Sequence, residues 1–280
     1  MKTALIQLNS SDNPKENLQQ ILDYLTEAVQ QGVEFCLTPE VSNCVSTSRT
    51  HQNAVLRHEV EDETLKAVRH FAAEHSIWIL IGSLALKTHD DDGRYANRSF
   101  LIDPTGTVTA KYDKIHMFDV QVSAEESYRE STGYRPGTES ILAQTPIGAV
   151  GMTICYDVRF PHLFRDLAHA GAEILTVPSA FSPATGATHW EPLLKARAIE
   201  NGCFVLAPAQ TGTHAASMGK SRTTYGHSMI IDPWGNVLLD AGTEMGVHIV
   251  DLDLKTVAQT RQKVPSLLHD RDYSGPKGLK

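Results

Sequence analysis

The sequence predicts an α/β fold in which strands and helices alternate along one domain. Strand-like and amphipathic helix-like segments follow one another throughout the 280 residues, and such alternation is typical of sheets covered by helices. Turns such as Asp103-Pro104-Thr105-Gly106 join neighbouring strands as hairpins, so the sheets should be mixed rather than purely parallel. No Gly/Ser-rich or Pro-rich linker interrupts the chain. We therefore expect a single domain over residues 1–265 and an irregular, polar C-terminal tail over residues 266–280.

Two pairs of similar segments predict that the fold contains two sheets related by a repeat. Residues 102–108 resemble residues 231–237 around a shared Asp-Pro-x-Gly turn, and residues 32–39 resemble residues 171–178, at similar separations near half the chain. A favourable turn and a common helix–Gly–strand pattern could also produce these likenesses independently. A genuine repeat would give two mixed sheets packed face to face with helices outside, which is a four-layer α-β-β-α sandwich.

Hydrophobic periodicity and capping residues place the individual elements. Apolar residues recur at helical spacing from Leu18 to Val29, with Asn13 as the cap, Pro14 in the first turn and Gly32 after the end. Further helices are predicted over residues 62–75, 160–170, 190–201 and 254–264. Strands are predicted over residues 3–9, 34–38, 77–82, 149–154, 173–177, 203–209 and 247–251, besides the hairpin strands at the two Asp-Pro-x-Gly turns.

Composition and charge argue against several classes of function. The net charge is -8 and no basic cluster stands out, which argues against nucleic acid as a partner. No apolar stretch approaches the roughly 18 residues needed to span a bilayer. The first residues lack the apolar block and cleavage site of a secretory signal. We therefore expect a cytoplasmic protein that has neither membrane nor nucleic acid as a partner.

One of the four cysteines has a position suited to chemistry. In a long cytosolic chain free thiols are expected, and the absence of CxxC, HxxxH and HxH spacings predicts no metal site. Cys155 follows the apolar strand 149–154 and precedes a helix start, where a thiol can be a nucleophile of lowered pKa. The alternative is a thiol packed in the core.

Three charged residues could assist such a thiol. Glu40 follows the strand 34–38 and Pro39, which cannot continue a central ladder, so Glu40 should lie at the mouth of the sheet. Lys114 follows another strand, and Glu130 lies in a polar loop. Taken singly, each is more typical of a solvated surface than of a catalytic site, and the residue pattern alone does not decide between the two.

Six short passages of the sequence, some of which contain these residues, can be compared with those of known families. They are KIHMFD at 114–119, CYDVRFP at 155–161, PSAF at 178–181, HW at 189–190, RAIE at 197–200 and YGHSMIIDPWG at 225–235. Together, and in this order, they resemble the nitrilase superfamily of carbon–nitrogen hydrolases. The likeness runs nearly end to end and is greatest to the Nit branch, which includes deaminated glutathione amidase and omega-amidase.

The resemblance implies a catalytic Glu–Lys–Cys triad at Glu40, Lys114 and Cys155, with a second family glutamate at Glu130. Glu40 would act as general base and acid, and burial would raise its pKa enough for this. Lys114 and the backbone N–H of Tyr156 would stabilise the oxyanion. Glu130 would orient Lys114 or the substrate amide. The reaction would pass through a cysteine thioester and need no metal or organic cofactor.

Four residues are candidates for binding the substrate. Arg159 matches an arginine that grips a substrate carboxylate in related carbamoylases, but it could instead form an ion pair with Asp157. Phe181, Thr185 and His189 belong to a segment resembling the corresponding loop of deaminated glutathione amidases. His189 could equally be a structural, hydrogen-bonded histidine.

The resemblance predicts an amidase that converts a small carboxylate-bearing amide into an acid and ammonia. Deaminated glutathione is the first candidate substrate, and alpha-ketoglutaramate or a related omega-amide is the second. Alternatives are another amidase, carbamoylase or nitrilase of the superfamily, or an inactive relative that binds a ligand. The family also implies an isologous homodimer or a higher oligomer.

Overall fold

Two six-stranded sheets form the centre of the structure. The computed structural model describes residues 1–122, 127–276 and 278, so the predicted tail over residues 266–280 lies partly outside the described residues. The strands are β1 (Lys2–Gln7), β2 (Phe35–Leu37), β3 (Trp78–Lys87), β4 (Tyr95–Ile102), β5 (Val108–Asp113), β6 (Asp119–Gln121), β7 (Ser127–Arg129), β8 (Ile141–Thr145), β9 (Gly148–Met152), β10 (Ile174–Thr176), β11 (Phe204–Ala207), β12 (Thr211–Thr213), β13 (Thr223–Tyr225), β14 (Met229–Ile231), β15 (Val237–Asp240) and β16 (Gly246–Asp251). The helices are α1 (Pro14–Gln30), α2 (Arg49–Val55), α3 (Glu63–His75), α4 (Pro161–His169), α5 (Pro183–Asn201) and α6 (Lys255–Lys263).

The two sheets share one topology. The first has the order β16-β1-β2-β3-β4-β5 and the second the order β15-β14-β11-β10-β9-β8. Three central strands are parallel in each sheet, β1 to β3 in the first and β9 to β11 in the second, and the outer strands are antiparallel. The two similar Asp-Pro-x-Gly turns join β4 to β5 and β14 to β15. The predicted two-sheet repeat with mixed sheets is confirmed.

Helices cover the outer face of each sheet. Along β1, Ala4 and Ile6 belong to a buried cluster with Ile21 of α1 and Val68 of α3, whereas Leu5 belongs to a cluster with the second sheet, α4 and α5. Side chains alternate between the faces of a strand, so β1 has one face toward the helices and one toward the second sheet. The predicted four-layer α-β-β-α sandwich is confirmed.

Two helices differ from the prediction. Helix α5 begins at Pro183, seven residues before the predicted start at residue 190, and α2 was not predicted. Glycine and proline lower helix propensity, so Pro183 and Gly186 obscured the start of α5 in the sequence. Proline is favourable in a first turn, and the Gly186 backbone packs closely against the Tyr225 ring. Tertiary packing therefore decides this helix.

All four cysteines are free and buried, as the prediction of free thiols requires. Cys44 follows the polar residues Ser42 and Asn43 in the sequence, but its side chain lies in a small apolar cluster with Val41 and Val45. In the described part of the chain, none of the helices combines the length and the apolar character that crossing a membrane requires.

Candidate active site

Strand ends from both sheets bring the candidate catalytic residues together. Glu40 follows β2 and Lys114 follows β5 in the first sheet, while Cys155 follows β9 in the second. Lys114 donates from Nζ to Glu40 Oε1 at 2.8 Å, and the Cys155 thiol lies beside the same carboxylate at the cavity. The prediction that Glu40 lies at the mouth of its sheet is confirmed, and the site lies between the two sheets.

The backbone is strained next to both Glu40 and the thiol. Val41 has φ 47° and Cys155 has φ 49°, in a left-handed region that non-glycine residues seldom adopt. Hydrogen bonds hold both conformations, from Val41 N–H to Ser83 Oγ at 2.8 Å and from Cys155 N–H to the Pro178 carbonyl at 3.0 Å. Such strain costs on the order of 1–3 kcal/mol per residue and is common at functional sites.

Glu40 and Lys114 lie in a buried network of charge-assisted hydrogen bonds. Lys114 Nζ donates to both carboxylate oxygens of Glu130, each at 2.9 Å, besides its bond to Glu40. Asn97 Nδ2 donates to Glu40 Oε1 and the Ala180 N–H donates to Glu40 Oε2, both at 2.8 Å. One ammonium group is thus shared by two carboxylates, and Glu40 has donors on both oxygens, which fixes its orientation.

The surroundings set the protonation states of the three groups. Burial alone would raise the pKa of Glu40, but the Lys114 ammonium, together with the charge of Arg222 and the Asn97 hydrogen bond, holds that pKa below its usual value. Burial alone would lower the pKa of Lys114, but the Glu130 and Glu40 carboxylates raise it well above its usual value. Burial, followed by the Glu40 charge, raises the pKa of Cys155. The site therefore holds a neutral thiol, a carboxylate and an ammonium.

These directions correct two expectations. The pKa of Glu40 is lowered rather than raised, because a cation lies in contact with it. The pKa of Cys155 is raised rather than lowered, because burial and the adjacent carboxylates outweigh the charge of Lys114. A strand end near a helix start is therefore insufficient to produce a thiolate here.

Asp157 connects the turn carrying Cys155 to the first sheet. It is fully buried and accepts hydrogen bonds from the Ile154 N–H at 2.8 Å, the Tyr112 hydroxyl at 2.7 Å and the His116 N–H at 3.0 Å. Tyr112 belongs to β5, which leads to Lys114. The Asp157 carboxylate thereby connects the end of β9 in the second sheet to the end of β5 in the first.

A cavity of about 520 Å³ opens onto the thiol. Seven of the predicted site residues line it, namely Glu40, Lys114, Glu130, Cys155, Tyr156, Phe181 and Thr185. The backbone N–H of Tyr156 follows the thiol directly, and no acceptor in the described ranges takes its hydrogen. Among the described residues, the charged ones that line the cavity are four cations, Arg49, Lys114, Arg129 and Arg222, and two carboxylates, Glu40 and Glu130.

Arg159 and His189 are not among the described residues that line the cavity. Arg159 ends a 3₁₀ turn, Cys155–Arg159, and its Nη2 lies 3.2 Å from His189 Nδ1 on α5. Its guanidinium lies over the Phe181 ring, 5.5 Å from the centroid. The alternative ion pair with Asp157 is also not formed within the described residues, since Asp157 pairs with His116.

Sequence reasoning missed two polar residues of the site. Asn97 is a buried amide in strand β4. The signal in the sequence that could have found it is an asparagine inside a largely apolar strand. Arg222 lines the cavity from the segment before β13 and donates to the Ala180 carbonyl at 2.5 Å. Its segment is polar and irregular, so no local pattern distinguishes it from a surface arginine.

Comparison with known proteins places this arrangement in a family. Residues 2–262 match the family model described as Carbon-nitrogen hydrolase. The chain belongs to the carbon–nitrogen hydrolase family. The deaminated glutathione amidase of Yersinia enterocolitica is 40% identical over 97% of this chain and 93% of that protein.

Solved structures show the same fold. The C. elegans NitFhit protein has a TM-score of 0.88 and 35% identity over 96% of this chain, which spans 65% of that protein. The amidase from Nesterenkonia sp. AN1 has a TM-score of 0.76 and 25% identity, with coverage of 95% of this chain and 98% of that one. That amidase was solved as a mutant showing Michael addition of acrylamide at its active-site cysteine.

Membership of the carbon–nitrogen hydrolase family confirms two predictions. The likeness to the nitrilase superfamily is confirmed along nearly the whole chain. The predicted class of enzyme, a hydrolase that acts on the carbon–nitrogen bond of an amide, is also confirmed.

Proposed function

We propose that this carbon–nitrogen hydrolase is an amidase in which Cys155 is the nucleophile, Glu40 the general base and acid, and Lys114 the oxyanion-stabilising cation. Its substrate is a small amide that bears a carboxylate, and deaminated glutathione is the first candidate. The observation that carries the proposal is the contact of the Cys155 thiol and the Lys114 ammonium with one carboxylate, Glu40, at the cavity.

The first half of the reaction forms a thioester. The Cys155 sulfur attacks the amide carbonyl carbon while its proton passes to Glu40. Because the pKa of the thiol is raised, this proton transfer accompanies formation of the carbon–sulfur bond. Lys114 and the Tyr156 N–H bind the oxyanion of the tetrahedral intermediate. The intermediate collapses by breaking the C–N bond as Glu40 returns the proton to the departing nitrogen.

The second half hydrolyses the thioester. Water attacks the carbonyl carbon and gives its proton to Glu40, and a second tetrahedral intermediate forms at the same oxyanion position. Breaking the C–S bond releases the acid, and the proton on Glu40 returns to the sulfur. Glu130 contacts Lys114 through both oxygens, which supports orientation of the lysine as its role.

The cavity and the relatives support an anionic substrate. Four cations and two carboxylates line the cavity among the described residues, so this part of the lining carries two more positive than negative charges. The Yersinia relative is named deaminated glutathione amidase. The amide bonds of a tripeptide are secondary, so cleavage of deaminated glutathione releases an amine. The ammonia expected from the sequence therefore applies only to a primary amide such as the omega-amide alternative.

Turnover of matched substrates tests this function. The wild type should hydrolyse deaminated glutathione, with product acid and amine measured by chromatography, and an omega-amide, with ammonia measured. Cys155→Ala should abolish both activities. The matched control is Cys36→Ala, which changes another buried cysteine, in the cluster between the first sheet and its helices. Mass spectrometry of Glu40→Gln mixed with substrate should not show accumulation of a thioester, because proton transfer from the thiol is impaired.

Three results would contradict the proposal. Full activity of Cys155→Ala would remove the nucleophile from the mechanism. Turnover confined to nitriles or carbamoyl amines would move the enzyme to another branch of the superfamily. Binding of a ligand with no turnover of any amide, nitrile or carbamoyl amine would favour the inactive-relative alternative.

We also propose that residues 1–265 act as one domain in a cytoplasmic homodimer. The family model matches residues 2–262, which supports one domain. Four apolar residues, Ile199, Trp234, Val264 and Leu268, are 53% to 79% exposed. Because large exposed apolar patches commonly mark interaction sites, these residues support association through the side of the molecule that carries α5 and α6.

A further inference from the structure

We infer that Arg222 is the residue that binds the carboxylate of the substrate, in place of Arg159 and His189. This inference rests on the proposed function, since it assigns a carboxylate subsite within the same cavity. Arg222 lines the cavity, whereas Arg159 and His189 are not among the described residues that do so. The subsite would accept a carboxylate group attached to the amide being cleaved.

Arg222 is connected to the catalytic carboxylate through a single residue. Its Nη2 donates to the Ala180 carbonyl at 2.5 Å, and the Ala180 N–H donates to Glu40 Oε2 at 2.8 Å. The charge of Arg222 also helps to lower the pKa of Glu40. A substrate held by this guanidinium would therefore have its amide group close to the Glu40 and Cys155 side chains.

The guanidinium of Arg222 retains unused hydrogen-bonding capacity. Its only acceptor among the described residues is the Ala180 carbonyl, and Nε is buried without a partner. Within the described ranges no carboxylate lies at ion-pair distance from the Arg222 guanidinium, and Glu40 interacts with its charge only from further away. The terminal nitrogens, Nη1 and the second N–H of Nη2, match the two oxygens of a carboxylate, which is the geometry that arginine recognises best.

The other two cavity arginines fit this role less well. Arg49 donates to the carbonyls of Gly133 and Gly93, and its guanidinium lies 3.5 Å from the Tyr95 ring centroid, so it stabilises the wall of the cavity. Arg129 is exposed, where water screens its charge. Only Arg222 combines partial burial, a cavity position and free terminal donors.

A pair of substrates that differ in one charge tests this subsite. The monoamide of a five-carbon dicarboxylic acid carries the carboxylate, and its methyl ester lacks it. Arg222→Gln should lower kcat/KM for the charged amide about 10- to 100-fold, mainly through KM, because a charge-assisted hydrogen bond is lost. The ester should change by no more than about twofold, and Arg222→Lys should lie between Arg222→Gln and the wild type.

Arg129→Gln is the matched control, because it removes the same charge from the same cavity. It should lower kcat/KM for the charged amide by less than about threefold, as expected for a screened surface charge. An equal loss of activity on both substrates in Arg222→Gln would overturn the inference, since Arg222 would then act by positioning Glu40 through Ala180. An equal effect of Arg129→Gln and Arg222→Gln would also overturn it.

Binding of a dicarboxylate separates this inference from the proposed function. Calorimetry with the free five-carbon dicarboxylate should show at least about tenfold weaker binding to Arg222→Gln than to the wild type or Arg129→Gln. Unchanged binding by Arg222→Gln, or no binding by the wild type, would overturn the subsite. If the wild type binds the dicarboxylate through Arg222 but hydrolyses no amide, the subsite is supported and the proposed function fails.

Discussion

Lys114 illustrates how neighbouring residues determine the chemistry of a single side chain. By its sequence context it could have been a surface lysine, but it is 2% exposed and shared by Glu40 and Glu130. The family resemblance named these residues and Cys155 correctly as neighbours. The protonation states could not be predicted from the sequence, since the effect of burial competes with that of contacting charges, and the two act in opposite directions.

His214 provides a prediction about pH at the residue scale. Burial, together with the charge of Arg222, lowers the pKa of His214 from its usual value of 6.5 to about 4. Because the unfolded chain then binds a proton that the folded protein does not, stability should be lost as pH falls from 6.5 to about 4. The free energy of unfolding should decrease by up to roughly 3 kcal/mol over this range through this residue.

Urea denaturation between pH 7 and pH 4 measures this loss. His214→Gln removes the titrating group, so its free energy of unfolding should vary less steeply with pH than that of the wild type. His70→Gln, at an exposed position of α3, serves as control and should retain the wild-type slope. Identical slopes in all three proteins would contradict the assigned pKa direction.

At the scale of elements, the middle of β3 is packed against the segments that follow β2 and β10 without space for additional atoms. A Cβ at Gly82 would lie 1.9 Å from the Thr38 carbonyl oxygen, 2.6 Å from that of Pro39 and 2.5 Å from Pro178 Cβ. Thr38 and Pro39 lead to Glu40, and the Pro178 carbonyl holds the Cys155 N–H. The sequence predicted these strands, but their mutual approach depends on side-chain packing between sheets.

Gly82→Ala should therefore disturb both halves of the site. We expect a loss of more than about 3 kcal/mol in the free energy of unfolding, because backbone atoms would have to move. Amidase activity should fall with it. Gly32→Ala is the control, since nothing lies within 4 Å of its Cβ and only its positive φ, +74°, is unfavourable. The control should lose about 1–2 kcal/mol and keep its activity. Comparable Tm and kcat values for Gly82→Ala and the wild type would show that the packing is looser than described.

At the scale of the whole molecule, the four exposed apolar residues lie on neighbouring elements. Gly235, beside Trp234, approaches Ile199 of α5 closely, and Lys263 at the end of α6 lies over the Trp234 ring. Leu268 lies in the 3₁₀ turn Ser266–Leu268, where the Ser266 hydroxyl donates to the Glu200 carbonyl of α5 at 3.2 Å. These contacts join α5, the β14–β15 turn and the C-terminal end of α6 into one surface.

Light scattering coupled to size-exclusion chromatography measures whether this surface forms a dimer. The wild type should have twice the chain mass of 30.8 kDa. Trp234→Glu should shift the mass toward that of the monomer, because a charge would be buried at an apolar interface. Val60→Glu changes an exposed apolar residue elsewhere, in the 3₁₀ turn Glu59–Glu61, and should leave the mass unchanged. A monomeric wild type would rule out the proposed homodimer.

By itself the sequence predicted the alternation of strands and helices, the two-sheet repeat and, through the family resemblance, the proposed Glu40–Lys114–Cys155 set. These features follow from hydrophobic periodicity, turn residues and short family motifs, all of which are local in the chain. Only the tertiary structure decided the start of α5, the network around Lys114, the pKa directions and the place of Arg222. Each of these depends on contacts between residues far apart in the chain, such as that between Arg222 and Ala180, and on the burial that these contacts create.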